Sequence, residues 1–209
     1  MDIATQRKWD NAVRGYDLMN GFGPERRWEP WKRQLFSQMA GNVLFLAIGT
    51  GQDIQFFPPG RRITALDISE RMLDQARPRA EQYDGDLELR HLDVHDLDYP
   101  TATFDQVFTS CTFCSVPNPV DGLRALGRVL KPGGTLGMFE HTGSRFFPFG
   151  LMLDLMTPLT RRLGPELNRN TPDNVRRAGF VDVEVEPVYL DVVKIIRARR
   201  PRAAATKLY

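Results

Sequence analysis

The distribution of apolar and polar residues divides the chain into three parts. Residues 1–40 carry apolar side chains at helical spacing, and residues 43–140 alternate short apolar runs with amphipathic segments. Residues 149–197 add further helical segments and then two more apolar runs. Short apolar runs bounded by glycine, proline or polar residues are typical of buried strands, whereas apolar residues three or four positions apart are typical of helices. The pattern therefore predicts helices first, then an alternating region of strands and helices.

The first 40 residues predict two amphipathic helices. One apolar stripe consists of Trp9, Ala12, Val13, Tyr16 and Met19, and a second of Trp28, Trp31, Leu35, Phe36 and Met39. Gly21-Phe22-Gly23-Pro24 separates them and breaks the helical pattern. Amphipathic helices of this kind either pack on their own domain or lie at a membrane interface. Both interpretations stay open at this point.

The alternating region predicts an α/β fold. The apolar runs predict strands at 43–48, 62–67, 87–92, 104–109 and 135–140. The segments between them predict a short helix near 51–57, a helix capped by Ser69, and a helix over 119–130 that Lys131-Pro132-Gly133-Gly134 ends. Regular alternation of this kind predicts a parallel sheet with helices on both faces.

The last part of the chain departs from this alternation. It predicts a helix over 149–163 and another that Thr171 caps and that runs to Ala178. Strands are predicted at 180–186 and 189–197, and the two-residue connection Pro187-Val188 requires them to be antiparallel. We expect one domain over residues 1–209, with a helical segment at 1–40, a core at 41–197 and a basic tail at 198–209.

A glycine-rich turn follows the first predicted strand. The apolar run from Val43 to Ile48 ends in Gly49-Thr50-Gly51, and Asp67 stands at the end of the second predicted strand. A glycine turn lets backbone approach a ligand closely, and an acid at the tip of the next strand is placed to accept both hydroxyls of a ribose. A tight turn without a ligand is the alternative. The distance from the turn to Asp67 favours a nucleoside site.

Charge and hydropathy bear on the cellular location of the protein and on its contact with membranes or nucleic acid. The net charge is +2, yet residues 194–209 hold six basic and no acidic residues. A basic end of this kind is either a solvated tail or a surface for anionic lipid or nucleic acid. No apolar stretch approaches the roughly 20 residues of a membrane span, and the first residues lack the apolar core of a signal peptide. We expect a cytoplasmic location.

The two cysteines, Cys111 and Cys114, have the C-x-x-C spacing of a redox pair or half a zinc site. The pair follows a predicted strand, and no second C-x-x-C is present. The three histidines do not complete a metal-ligand spacing. We therefore expect two reduced, partly buried thiols and no metal.

These motifs together resemble the class I S-adenosylmethionine-dependent methyltransferases. The resemblance covers residues 43–140 and implies a Rossmann-like, mostly parallel seven-stranded sheet with an antiparallel C-terminal hairpin and helices on both faces. The family's first motif is usually acid-x-Gly-x-Gly-x-Gly, and here Ala47 replaces the first glycine while Phe45 stands where the acid belongs. The anchoring of the methionine end would then pass to backbone carbonyls or to Asp53.

The resemblance also implies which residues bind S-adenosylmethionine, whose product is S-adenosylhomocysteine. Asp67 would take the ribose hydroxyls, while Ile68 and Met72 would line the adenine. Asp93 would accept the adenine amino group, and the Val94 amide would meet a ring nitrogen. The residues implied to bind the cofactor are Ala47, Gly49, Gly51, Asp53, Asp67, Ile68, Met72, Asp93, Val94, Ser110 and Cys111.

A narrower branch of the family shares further motifs with this chain. They lie at 111–119, 139–141, 167–169 and 177–180, and they resemble the bacterial phosphatidylethanolamine N-methyltransferases, the quinone C-methyltransferases and small thiol methyltransferases. The leading expectation is N-methylation of phosphatidylethanolamine toward phosphatidylcholine by a peripherally membrane-associated enzyme. The alternative is C- or S-methylation of a small hydrophobic acceptor such as a quinone precursor or a thiol. A third interpretation, a non-catalytic cofactor-binding regulator or nucleic-acid adaptor, rests only on Phe45.

An ethanolamine amine must lose a proton before it attacks the methyl donor. Tyr16 and His141 are the candidates to relay that proton. Tyr16 is also expected to contact the acceptor. The candidates for binding a lipid phosphate are Arg145, Arg161, Arg162 and Arg169. We further expect the helix of Trp9 to Met19 to cover the methionine end as a lid hinged at Gly21-Phe22-Gly23. The expected partners are the acceptor and an anionic membrane surface, and no nucleic acid.

Overall fold

The computed structural model describes residues 1–21, 25–160 and 165–202, and for residues 14, 17–21, 25 and 26 it describes the backbone alone. The helices are α1 (Ile3–Gly21), α2 (Glu25–Phe36), α3 (Glu70–Glu81), α4 (Pro119–Val129), α5 (Phe149–Thr160) and α6 (Thr171–Arg177). The strands are β1 (Asn42–Leu46), β2 (Arg62–Asp67), β3 (Asp86–His91), β4 (Phe104–Ser110), β5 (Leu130–His141), β6 (Val181–Tyr189) and β7 (Val193–Arg199). Short 3-10 helices span Gln52–Phe56 and Val94–Asp96.

The strands form one seven-stranded sheet in the order β3-β2-β1-β4-β5-β7-β6. Strands β1 to β5 pair in parallel, and β7 pairs antiparallel with both β5 and β6. This confirms the predicted α/β fold, the mostly parallel sheet and the antiparallel end. The chain order reverses direction across the sheet between β1 and β4, where open α/β sheets bind ligands beyond the carboxyl ends of their strands.

The sheet separates two hydrophobic cores, and β1 contributes to both of them. Leu44 and Leu46 belong to the core that contains residues of α4 and α6, whereas Val43 and Phe45 belong to the core that contains residues of α2. Successive side chains of a strand point to opposite faces, so a strand covered on both sides must be apolar throughout. This is why the run ahead of the glycine turn shows no polar alternation.

The predicted turn of the C-terminal hairpin is wrong. Pro187 lies within β6 and pairs with Lys194, and the chain reverses at residues 190–192, where Leu190 has a φ of 47°. The β6 strand is at the edge of the sheet. An edge strand tolerates a proline, because the missing N–H is not needed for a second neighbour. Proline therefore did not mark the turn here.

Three other boundaries also differ from the prediction. The cap of α6 is Asn170, whose Oδ1 accepts from the Asp173 N–H at 3.4 Å, while Thr171 is fully buried. The β5 strand already begins at Leu130, opposite Phe104, and its register shifts before Thr135. The β7 strand ends at Arg199, two residues beyond the predicted end of the core.

In the part of the chain described here, none of the helices has the length and apolar character needed to cross a bilayer. The predicted hinge residues 22 and 23, and residues 161–163 of the predicted helix after residue 149, lie outside the described residues.

Candidate functional site

The turn after β1 places main-chain N–H groups at the carboxyl edge of the sheet. Ala47 and Gly49 have φ values of 58° and 57°, in the left-handed region that favours glycine. The Gly49 N–H donates to Oδ2 of Asp67 at 2.8 Å. The turn after β1 and the end of β2 are therefore joined directly through this carboxylate.

Asp67 is a buried carboxylate at the end of β2, with 6% of its surface exposed. Its Oδ1 accepts from the Ser69 N–H at 2.9 Å, so each oxygen holds one main-chain donor and keeps capacity for a second. Burial raises the pKa of Asp67 to about 6 despite these donors. The group has the spare acceptors that a pair of ribose hydroxyls requires.

Asp93 occupies the corresponding place after β3. Its Oδ2 accepts from the Asp2 N–H at 2.8 Å, and its Oδ1 lies 3.0 Å from the main-chain nitrogen of His95 and 2.9 Å from its Nδ1. Burial acts to raise the pKa of Asp93, but the hydrogen bonds from His95 and Asp2 hold it below the usual value. Asp93 is therefore an anion that already binds the start of α1.

The loop after β4 is organised by Glu140, which the sequence analysis did not assign to the site. Glu140 is fully buried at the end of β5. Its Oε1 accepts from Oγ1 of Thr109 at 2.7 Å and from the Thr112 N–H at 3.2 Å, and its Oε2 accepts from the Phe113 N–H at 3.1 Å. Burial raises its pKa to about 7. A glutamate at the end of a buried apolar strand was the signal available in the sequence.

A cavity lies between these strand ends and α1. Its walls from the sheet edge and α3 are Leu46, Ala47, Gly49, Asp67, Ile68, Met72, Leu92, Asp93, Val94, His95, Ser110, Cys111, Thr112, Ser115, Val116 and Pro117. Its cover is formed by Thr5, Trp9 and Tyr16 of α1. Nine of the predicted cofactor residues line it, and so does Tyr16. Trp9 belongs to the helix predicted as a lid. The lining residues that were not predicted are Thr5, Leu46, Leu92, His95, Thr112, Ser115, Val116 and Pro117.

Helix α1 covers the glycine turn. A Cβ built on Gly49 would lie 3.8 Å from Cε1 of Tyr16, and the rings of Tyr16 and Trp9 meet edge to face at a centroid distance of 6.1 Å. Burial raises the pKa of Tyr16, so its phenol is neutral near pH 7. Trp9 and Tyr16, the aromatic side chains of the first predicted stripe, therefore face the cavity, whereas Trp28 and Trp31 pack against a hydrophobic core.

Gly51 and Asp53 do not line this cavity. A Cβ on Gly51 would come within 2.9 Å of Cδ1 of Ile54 and 3.1 Å of the Ala76 Cα, so the glycine allows the turn to pack on α3. Asp53 pairs with Nζ of Lys32 at 2.9 Å and lines a separate cavity with residues of α2. The structure does not bring Asp53 to the position of the missing motif-one acid.

Phe45, at the position of that acid, is fully buried. Its ring lies 5.4 Å from the ring of Phe36 and 4.9 Å from that of Phe57, measured between centroids. A carboxylate here would be surrounded by aromatic side chains, and burying an unpaired charge is costly. The apolar residue is thus what this core requires.

His141 is outside the cavity lining. Its strand partner is Val193 of β7, and its Nδ1 is buried without a hydrogen-bond partner among the described residues. Burial, and then the charge of Lys194, lower its pKa. Side chains alternate along β5, so His141 points away from the loop that Glu140 holds.

Of the predicted phosphate-binding arginines, Arg145 and Arg169 are described, and neither lines the cavity. Arg169 pairs with Glu166 at 2.8 Å, and its Nη2 donates to the carbonyl of Val116 at 3.2 Å, so it supports the cavity's rim. Arg145 is exposed ahead of α5. Arg161 and Arg162 lie outside the described residues.

Cys111 and Cys114 are not joined in a disulfide. Cys114 is buried, which raises the pKa of its thiol to about 12, and its Sγ donates to the Cys111 carbonyl at 3.4 Å. Cys111 lines the cavity with a φ of 50°. The raised pKa of Cys114 is the opposite of what a reactive thiolate needs.

Comparisons with known proteins agree with this arrangement. A family model described as "Methyltransferase domain" matches residues 44–138. The chain is 32% identical to a human thiol S-methyltransferase TMT1B, over 77% of this chain and 72% of that protein. It is also 32% identical to the demethylmenaquinone methyltransferase of Symbiobacterium thermophilum, over 90% and 88% of the two chains.

A phosphatidylethanolamine N-methyltransferase of Cereibacter sphaeroides matches a shorter stretch, with 32% identity over 48% of this chain and 51% of that protein. Among solved structures, a possible histamine N-methyltransferase from Thermotoga maritima, described as S-adenosylmethionine-dependent, superposes with a TM-score of 0.68 at 18% identity. The alignment covers 94% of this chain and 99% of that one. At 18% identity, this structural similarity shows a shared fold alone.

Proposed function

This chain belongs to the class I S-adenosylmethionine-dependent methyltransferases, and we propose that it methylates a lipophilic acceptor at a membrane surface, with the amine of phosphatidylethanolamine as the leading acceptor. The observation that carries the proposal is the cavity between the glycine turn and α1. It joins Asp67, Asp93 and the Gly49 main chain to a cover that contains Tyr16.

The residues of the cavity fit the methyl donor. Asp67 has the buried, spare acceptors for the ribose hydroxyls, and Ile68 and Met72 provide an apolar wall beside it. Asp93 and the Val94 N–H would hold the adenine edge. S-adenosylmethionine supplies an already activated methyl group, so the protein's task is mainly to orient the acceptor and exclude water. The cover formed by α1 serves the second of these tasks.

Tyr16 is the residue proposed to act on the acceptor. Its neutral hydroxyl can accept a hydrogen bond from an ammonium group and relay the proton, taking up the ammonium proton as it gives its own proton to water. The hydroxyls of Ser110, Thr112 and Ser115 line the same cavity and can stabilise positive charge electrostatically. His141 is given no part in the reaction, because it does not line the cavity.

A second acceptor class is favoured by one specific observation. Among the described residues, neither lysine nor arginine lines the cavity, so a phosphate inside it would meet no lysine or arginine side chain. A quinone ring carbon or a thiol requires no such partner. Relatives that carry the names of these activities match the chain over more of its length than the phospholipid relative does.

Methyl transfer from tritiated S-adenosylmethionine distinguishes these candidates. The full chain would be incubated with total bacterial lipid extract, with purified phosphatidylethanolamine in vesicles, with a demethylated quinone or with a small alkyl thiol. The leading proposal predicts label in monomethyl- and dimethyl-phosphatidylethanolamine. Label only in the quinone or the thiol would replace the acceptor, and no label in any fraction despite cofactor binding would support a non-catalytic regulator.

A further inference from the structure

The segment from residue 145 to residue 160 carries an apolar surface that the described parts of the protein leave uncovered. Phe147 is 86% exposed, Leu155 73% and Leu159 65%. The surface, here called the α5 face, consists of Phe146, Phe147, Leu151, Met152, Leu155, Met156 and Leu159. Monomeric proteins rarely expose so many large apolar side chains in one place, and such patches mark interaction sites.

Packing within the domain does not explain these residues. The buried residues of α5 are Leu153 and Thr157, one helical turn apart. Leu151, Leu155 and Leu159 recur at intervals of four and form the opposite side of the helix. A helix needs one apolar stripe to dock on its own core, and α5 has a second, wider one directed at solvent.

We propose that the α5 face is a membrane-docking surface that inserts into the headgroup region of an anionic bilayer. The helix has only 12 residues, which suits a helix lying in the plane of the interface. Phe146 and Phe147 precede it and would enter the acyl boundary first. A second copy of the chain or another protein is the competing occupant that the experiment must separate.

The charges around the α5 face fit a lipid surface. Arg145 is exposed immediately before the two phenylalanines, and Arg161 and Arg162 follow α5 in the sequence. The acidic residue of α5, Asp154, accepts a hydrogen bond from Asn168 at 2.9 Å. Asp191, which lies beside Arg145, accepts from Oγ of Ser144 at 2.5 Å and from the Arg145 N–H at 2.6 Å. An exposed basic residue beside an apolar helix face, such as Arg145, favours binding to anionic lipid.

Residues 166–169, which follow α5, reach the rim of the cavity, and Asn168 among them donates to Asp154 of α5 at 2.9 Å. After α5, the Glu166 N–H donates to the Cys114 carbonyl at 2.8 Å, and Arg169 donates to the Val116 carbonyl. Val116 lines the cavity. A bilayer held at the α5 face would therefore lie on the side of the molecule where the loop after β4 borders the cavity.

This surface differs from the one that the sequence suggested. The stripe of Trp9, Val13 and Tyr16 was the candidate for membrane contact, but Trp9 and Tyr16 line the cavity. The docking surface adds a membrane-binding site to the proposed function. It rests on that function only for the claim that the acceptor comes from a membrane. Vesicle binding is measured without methyl transfer, so the two proposals can fail separately.

Flotation with vesicles tests the proposal on the full chain. The wild type and the Phe147→Ser/Leu155→Gln double variant would each be mixed with two kinds of vesicle. One contains phosphatidylcholine alone, and the other contains phosphatidylcholine with about 30% phosphatidylglycerol. Val181→Gln is the matched control, since Val181 is also exposed but lies at the start of β6. The expected result is at least about tenfold weaker partitioning of the double variant onto anionic vesicles, with the control unchanged. Equal binding of the wild type and the double variant would overturn the proposal.

A fluorescence measurement separates lipid from protein partners. Phe147→Trp adds an indole at a side chain that is 86% exposed, and its emission should shift to the blue and be quenched by brominated lipid. Quenching no greater than that of the parent protein would contradict insertion. Size-exclusion chromatography supplies the remaining outcome: a stable dimer that the Phe147→Ser/Leu155→Gln variant dissociates would assign the α5 face to a second copy. Unchanged affinity for S-adenosylmethionine in the double variant shows that it is folded.

Discussion

The hydroxyl of Ser69 donates to Oδ1 of Asp10 at 2.5 Å, and this bond ties helix α1 to the start of helix α3. The same hydroxyl accepts from the Met72 N–H at 3.2 Å and so caps α3. Ser69 follows Asp67 by two residues, and its main-chain N–H holds that carboxylate. The cover and the predicted ribose site therefore share one hydrogen-bonded unit.

Replacing Asp10 should loosen the cover without unfolding the domain. Asp10→Ala removes a hydrogen bond to a charged group, which contributes about 1.5–3 kcal/mol. We expect S-adenosylmethionine to dissociate roughly tenfold faster, as measured by stopped-flow displacement. Asn11→Ala on the same helix is the control, because Asn11 is exposed. Identical dissociation rates for both variants would show that the bond does not hold the cover closed.

Tyr16 separates the covering role of α1 from its chemical role. Tyr16→Phe keeps the ring beside Trp9 but removes the hydroxyl, so kcat should fall about tenfold or more while cofactor affinity changes little. Deletion of residues 1–20 should abolish transfer and leave a weaker cofactor binder. Steady-state kinetics and calorimetry check both. Full activity of Tyr16→Phe would exclude its hydroxyl from the reaction.

Cofactor affinity should depend on pH through Asp67. Burial raises the pKa of this carboxyl to about 6 in the protein without ligand, and only the ionised form can accept both ribose hydroxyls. Affinity should therefore be full above about pH 7 and fall toward tenfold per pH unit below 6. The lowered pKa of Asp93 keeps that group ionised over the same range. Calorimetry between pH 5 and 8 measures the effect.

The variant Asp67→Asn provides the control for this titration. It should bind more weakly at every pH and lose most of the pH dependence, because the titrating group is gone. A wild-type affinity that stays flat from pH 5 to 8 would show that Asp67 is already ionised throughout, or that it does not contact the cofactor.

Glu140 should be a strong determinant of stability. Glu140→Ala leaves three buried donors, on Thr109, Thr112 and Phe113, without their acceptor, at a cost of about 3 kcal/mol or more in the free energy of unfolding. Glu140→Gln keeps one acceptor oxygen and should lose less. Urea denaturation measures both, with Glu184→Ala on the exposed face of β6 as the control. A loss no larger than that of the control would mean that water replaces the carboxylate.

Much of the sheet was predictable, because β1 to β5 are apolar runs punctuated by glycine and polar residues. The hairpin was not, because the reversal uses Leu190 in a left-handed conformation, and leucine gives no turn signal. Similarly, Asn170 and Thr171 are both good caps, and only the burial of Thr171 decides between them.

At the site, the residues at strand ends followed from topology, since Asp67, Asp93 and Ser110 end or follow neighbouring parallel strands. Topology did not predict the residues whose place depends on the direction in which a side chain points. His141 and Glu140 are adjacent, yet their side chains leave β5 on opposite sides, and of the two predicted proton-relay residues Tyr16 lines the cavity while His141 does not. The orientation of α1 depends equally on packing, so the sequence left open whether its apolar stripe packs on the domain or lies at a membrane.

The most direct test concerns the assignment of the cavity as the cofactor site. Isothermal titration of S-adenosylmethionine into the wild type, Asp67→Ala and the exposed control Asp84→Ala measures whether the carboxylate at the end of β2 holds the methyl donor. We predict one site per chain, affinity at least about tenfold weaker in Asp67→Ala with an unchanged far-UV circular dichroism spectrum, and no change in the control. Equal affinity of the wild type and Asp67→Ala would contradict the assignment of this cavity as the cofactor site.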